Sequence, residues 1–280
     1  MLISRKIKNS VFIISSSLLA LLTIIPALSL LVYISYKGAP VVFSQGINFL
    51  IEKPASVTSA TPGGIAPALL GTIYLIVSST LISAPVAILA AAFVVEFPRS
   101  PISRMIKIAS RTILEIASIT VGMLAFFLIV LPMGRFTAAA GTVALAVLMI
   151  PYVYTYTETA LTSVPQKYIE AAYSIGMRRS QVFFKVTSKI AWKGIARGIF
   201  VGIMKISGET APLIFTIFGA RNSLFSGINQ PIDALPLMIF QFIQTGFENW
   251  KQLAWGGAFV LLLIYIVFYI IYFAIMRDRK

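Results

Sequence analysis

The chain has 280 residues, 58% of them hydrophobic and 11% charged, with a mean hydropathy of +0.91 and a formal charge of +14. A soluble domain carries about 25% charged residues, so this composition belongs to an integral membrane protein. With no cysteine and no histidine, disulfides, thiol chemistry, imidazole bases and nearly all transition-metal sites are excluded, and no metal ligand set is expected.

Apolar runs predict an all-α polytopic protein of about six transmembrane helices in one transmembrane domain spanning residues 1–280. The predicted spans are 11–33, 65–95, 108–131, 138–159, 194–218 and 253–276. A barrel would need short alternating strands, and none is legible. "RKIK" before the first run and "ALS" at 27–29 imitate a signal peptide, but the run continues past that point and reads as a retained span.

The basic residues sort by side. Seventeen of the 23 flank the first span, fill 99–111 and 167–197, or follow the last span, against Lys37, Lys53, Arg135, Arg221 and Lys251 opposite and Lys205 inside a span. Both termini are therefore expected in the cytoplasm of a cell-membrane protein. This distribution accounts for the positive charge without nucleic acid.

Residues 37–64 read as an external loop, because "KPASVTSATPGG" is polar and rich in turn formers. A second external segment, 219–251, has an apolar middle interrupted by Pro231 and Pro236 and reads as a lid or a re-entrant piece.

Between spans four and five, residues 163–193 form a predicted cytoplasmic loop. Ser163 and Gln166 have capping-box spacing, with Pro165 in the first turn, and predict a short helix to about Ile175 that ends at Gly176. Val164, Tyr168, Ala171 or Ala172, and Ile175 are expected on one face. Two readings stay open: a helix lying on the membrane surface, and a knob whose Glu170-Ala171-Ala172 small-residue patch docks into a partner protein.

In "KISGETAPLIF", residues 205–215, a lysine and a glutamate stand one helical turn apart inside an apolar run. An ionisable group at membrane depth costs about 3 kcal/mol on insertion scales, so it needs a cavity or a partner. Either Lys205 and Glu209 neutralise each other, or Lys205 faces a translocation route and attracts an oxyanion while Glu209 restrains it. Ser207 and Thr210 add hydroxyls to the candidate pathway. Pro212 is expected to kink this span beside Gly208, with the Thr210 hydroxyl compensating, and Pro151 to act likewise in span four, making Gly208, Pro212 and Pro151 candidate hinges.

Glu170-Ala171-Ala172 with Gly176, followed by Gly194-Ile195, resembles the "EAA" loop of binding-protein-dependent ABC importer permeases. "GGIAPALLGTIYL" at 63–75, "VALAVLMIPYVY" at 143–154, "GETAPL" at 208–213 and "WKQLAW" at 250–255 resemble permeases of Pst-type phosphate importers, the PstA-like kind more than the PstC-like. The resemblance implies the MetI-like permease fold and no covalent chemistry in this chain. It also implies a PstC-like second permease, a PstB-like ATPase dimer that holds ATP and Mg, and an external PstS-like phosphate-binding protein. Glu170, Ala171, Ala172 and Gly176 would form the coupling helix. The family commonly has arginine at Lys205 and at Thr155, and a Leu-Pro pair at Ser188-Lys189. The departures imply a thinner cationic lining and an altered approach to span five. Alternatives are a permease for phosphonate, sulfate or molybdate, and an ion-coupled carrier, in which a docking loop would have no purpose.

Overall fold

The computed structural model describes residues 2–57, 59, 61–221, 224 and 227–277. Arg279 and Lys280 of the charge count lie outside these, as do the side chains of Arg5, Lys6 and Lys8. Among the described residues the fold is helical, with one isolated antiparallel bridge, Pro54 to Gly63.

The first helix, α1 (Leu2–Gln45), is twelve residues longer at its far end than the expected span. Lys37 is therefore helical rather than in a loop. Pro26 and Pro40 sit inside α1 without ending it, which an apolar solvent favours because the other backbone groups must stay paired. Gly38 lets α1 close on α13 (Glu248–Met276), where an added Cβ would stand 2.6 Å from Phe259 Cβ. Tyr33 meets Trp255 edge-on at 5.3 Å between ring centroids. Earlier in α1, residues 12–32 are exposed on every side.

After the one-turn α2 (Asn48–Ile51), α3 (Ala66–Glu96) and α7 (Ala138–Thr162) form the central pair. Their contact is knit by Ser78 Oγ to Thr142 Oγ1 at 2.9 Å, and by Ser79 Oγ donating to the Thr142 carbonyl at 3.0 Å. These hydroxyls find partners across helices, as burial in an apolar setting demands. Leu75, Leu145, Met149, Val153, Ile206 and Leu213 fill the core around them.

The expected span 108–131 is not one helix. α4 (Pro101–Glu115) ends at Ile116 and Ala117, both extended, and the chain then turns by 106°. The next stretch comprises α5 (Ser118–Ala125), a π-helical turn (Phe126–Val130) and α6 (Leu131–Met133). Counting apolar residues merges a charged amphipathic helix with a short apolar one, of which Val121, Gly122, Ala125 and Val130 are buried. Among the described residues four helices are long and apolar enough to cross a membrane, five if this bent pair counts as one span.

A short helix, α8 (Gln166–Ser174), then leads into α9 (Arg179–Val182), a π-helical turn (Phe183–Thr187) and α10 (Ser188–Ser207), which follow without a gap. α10 packs on α7 through Gly194, Gly198 and Gly202. An added Cβ would stand 2.8 Å from Tyr156 Cβ at Gly198 and 2.9 Å from Met149 Cε at Gly202. Glycine every fourth residue lets the two backbones approach this closely.

Beyond α11 (Ala211–Thr216), residues 232–242 of the expected external segment fold back into the bundle. α12 (Leu235–Ile243) buries Leu235, Leu237, Met238 and Phe242 completely. The Leu235 N–H donates to Thr72 Oγ1 at 2.8 Å, and the Asp233 carbonyl rests on Gly71, where no side chain would fit. Asp233 is itself buried, and its Oδ1 accepts from the Ala234 N–H at 2.8 Å.

Burial pushes the Asp233 carboxyl up from 3.8 to about 6, against the opposing pull of that N–H and of Arg221. The folded protein then holds a proton that the unfolded chain releases near pH 4. Stability falls as pH rises from about 4 to about 6 and is flat above, with a span of about 3 kcal/mol. We expect Asp233→Asn to flatten this slope, as read by thermal unfolding in detergent at a series of pH values. An unchanged slope would mean that Asp233 is ionised throughout.

Candidate functional site

Two constellations stand at different depths of the bundle. The first lies at its basic end, where α8 joins α7 to α9.

Ser163 does not cap α8. It remains on the last turn of α7, its Oγ donating to the Ala160 carbonyl at 2.8 Å, and the extended Pro165 takes the cap position without a side-chain bond. The side-chain cap in this loop comes from Gln181, whose Oε1 accepts from the Arg178 N–H at 2.9 Å and starts α9. Gly176 has φ of +81°, and the N–H of Met177 reaches back to the Ala172 carbonyl at 3.2 Å. That left-handed residue ends the helix where glycine was expected to.

The predicted stripe divides in two. Val164 and Ala172 are buried, with Ile169 packed beside them, and they fasten α8 to the core. Tyr168, Ala171 and Ile175 lie on the adjoining side and are exposed, Ile175 at 78%. Val164 precedes the helix, so helical spacing did not govern where it points. Glu170 is exposed as well.

Just past the turn, Arg179 clamps α9 to the end of α3. Its Nε lies 2.6 Å from Glu96 Oε2, another of its N–H groups donates to the Glu96 carbonyl, and its guanidinium stacks 4.6 Å from the centre of the Phe97 ring. A second pair, Lys107 to Glu158 at 3.1 Å, ties α4 to α7 nearby. Neither was legible beforehand, because the partners are far apart in sequence.

The second constellation is the break after α10. The helix ends at Ser207, residues 208–210 are non-helical, and Pro212 falls in the first turn of α11, so the chain is interrupted rather than kinked. Pro212 needs no N–H partner there. Its Cα lies against Gly122 of α5, where an added Cβ would stand 2.5 Å away. The hydroxyl of Thr210 makes no cap bond, contrary to expectation. α7 runs unbroken through Pro151, whose carbonyl accepts from Thr155 Oγ1 at 2.8 Å.

Lys205 Nζ lies 2.6 Å from Glu209 Oε1. The two ends of the pair differ: the lysine side chain is 45% exposed and the glutamate 9%. The phenols of Tyr152 and Tyr265 stand near Lys205, and the Tyr265 hydroxyl covers Gly208. Ser207 is buried and turned away, its Oγ donating to the Met204 carbonyl at 3.0 Å. The structure thus joins Lys205 and Glu209, adds the two tyrosines that sequence reading missed, and leaves Ser207 out. What the site presents is one ammonium at an interrupted helix, backed by a buried carboxylate.

The fold and this pair of sites define the class. Residues 60–279 match the family described as binding-protein-dependent transport system inner membrane component, and the chain belongs to that family. A relative from Methanocaldococcus jannaschii named "Probable phosphate transport system permease protein PstA" is 39% identical over 277 residues, 99% of this chain and 96% of that one. The phosphate transport system permease protein PstA of Pasteurella multocida is 32% identical, with 92% of each chain covered. Among solved structures, an inward-facing form of the MetNI methionine ABC transporter superposes with a TM-score of 0.57 at 19% identity, over 76% of this chain and 96% of that one. An amino acid ABC transporter gives 0.55 at 16% identity, over 76% and 92%. The solved structures share the fold and carry no more than that.

Proposed function

We propose that this chain is a permease subunit of an ATP-driven importer, forms part of the translocation path for inorganic phosphate, and couples to a separate cytoplasmic ATPase. The observation that carries the proposal is the half-exposed ammonium of Lys205 at an interrupted helix. A cation at membrane depth needs a counter-charge, which Glu209 supplies here and for which an oxyanion in transit would compete. The relatives named for phosphate transport support the choice of cargo.

In this reading a PstC-like permease completes the path, and a PstS-like binding protein delivers cargo from outside. A PstB-like ATPase dimer, carrying ATP and Mg, seats the exposed Tyr168, Ala171 and Ile175 side of α8. Glu170, Ala171, Ala172 and Gly176 form the coupling element, in which Ala172 anchors and Ala171 faces out. Gly208 and Pro212 flank the movable break. The test is co-purification of the full chain with an ATPase and a binding protein, followed by identification of the anion the binding protein holds. Sulfate or molybdate there, with no phosphate uptake by the reconstituted complex, would overturn the cargo.

The excess of basic residues assigns the end carrying α8 and α4 to the cytoplasm of a cell-membrane protein, with both termini inside. Because the chain has no cysteine, single substitutions report sidedness. Ser180→Cys, exposed on α9, is expected to react with an impermeant thiol reagent only from the cytoplasm, and Ser44→Cys, at the far end of α1, only from outside. The reverse pattern would invert the assignment.

A further inference from the structure

The helix α4 has three sides, and the coupling and cargo sites use none of them fully. Ser103 and Ser110 are buried and Ile106 and Lys107 half-buried on the side facing α3 and α7. That side is fixed by Ser103 Oγ donating to the Phe97 carbonyl at 2.6 Å and by the Lys107–Glu158 pair. A second side carries Ile102, Met105 and Ala109, all exposed, Met105 at 69%. The third carries Arg104 and Arg111, exposed and in no ion pair among the described residues. Glu115 is the one acid on the helix. The 106° turn that follows sets α4 at a steep angle to the apolar stretch Ser118–Met133.

An uncovered apolar side bordered by cations, on a helix bent away from the apolar stretch that follows it at the basic end, has the chemistry of a helix in the headgroup plane of a membrane. The apolar residues displace water from the acyl boundary, and the arginines meet phosphodiester groups at a height their side chains reach. We infer that α4 is a membrane-surface helix that binds anionic phospholipid headgroups through Arg104 and Arg111, with Ile102, Met105 and Ala109 seated in the acyl boundary. Negative lipids complement both arginines, whereas a covering protein would need an acidic surface that also offers an apolar stripe. The inference stands independently of the cargo.

The experiment uses the full chain in nanodiscs of phosphatidylcholine with added phosphatidylglycerol and an environment-sensitive fluorophore on Ala109→Cys. Blue-shifted emission is expected in all nanodiscs, with stronger quenching by spin-labelled phosphatidylglycerol than by spin-labelled phosphatidylcholine at equal mole fraction. The preference should be about five-fold per arginine, and should fall to near unity in Arg104→Gln/Arg111→Gln. Arg104→Lys/Arg111→Lys should keep it, which separates loss of charge from loss of fold. Excess inorganic phosphate should leave it unchanged. Water-like emission, equal quenching by the two lipids, or undiminished preference in the glutamine variant would overturn the inference. So would displacement by inorganic phosphate, which would reassign the arginines to a soluble anion.

Discussion

Replacing Lys205 and Glu209 together by glutamine is expected to cut uptake sharply while assembly persists. The double change removes the ion pair without leaving a charge behind, so any loss of transport belongs to the missing cation. A charge-assisted hydrogen bond is worth about 1.5–3 kcal/mol, which places the expected fall in uptake at roughly 10- to 100-fold. Lys205→Gln alone should lower complex yield as well, because Glu209 is buried and loses its partner. That destabilisation should stay at or below about 3 kcal/mol, since water reaches the lysine end of the pair. Lys205→Arg should transport at least as well as the unaltered chain, because a guanidinium can hold Glu209 and still present N–H groups to an oxyanion. Radiolabelled phosphate uptake in vesicles and the yield of intact complex are the two readouts. Full uptake by the double variant would show that the lysine serves only to balance the glutamate.

The second large effect belongs to α8. Ala171→Trp should abolish ATPase association while the permease remains inserted, since the indole stands on the exposed side. Ala172→Trp should instead lower the amount of folded permease, because that methyl is buried against the core. Arg179→Gln, one turn of chain farther on, should leave the ATPase bound and hydrolysing ATP while uptake drops about ten-fold, since the clamp to Glu96 and Phe97 is what connects the loop to α3. Glu96→Gln should act alike, and Arg179→Glu combined with Glu96→Arg should restore part of the uptake. Normal coupling in Arg179→Gln would make the clamp a packing detail. The exposed pair by itself contributes little to stability, so a pure stability effect predicts almost no change.

What could be read in advance follows from how far each interaction reaches along the chain. The positions of the apolar helices, the left-handed end at Gly176 and the pairing of Lys205 with Glu209 are local, set by residues within a turn or two. The Arg179–Glu96 clamp joins positions 83 residues apart, and no spacing rule brings them together. The bend after α4 escaped because an apolar run was measured by length, although Arg104, Lys107 and Arg111 already gave that stretch a charged side. Ser163 misled because its hydroxyl had two possible employments, and the preceding helix claimed it. Gly194, Gly198 and Gly202 were plain in the sequence at intervals of four, and only the close approach to α7 shows what the interval is for.

From Arg179 to Ser207 the backbone is one helical rod, 29 residues counted through the π-helical turn, and at 1.5 Å per residue it is about 43 Å long. Gly194 is its closest point of support on α7, about 23 Å from the clamped end and about 17 Å from Lys205. A rod rocking there would carry sideways travel imposed at Arg179 to Lys205 reversed in direction and reduced only to about three quarters. A subunit built this way would pass a stroke at the loop to the 2.6 Å ion pair with little loss.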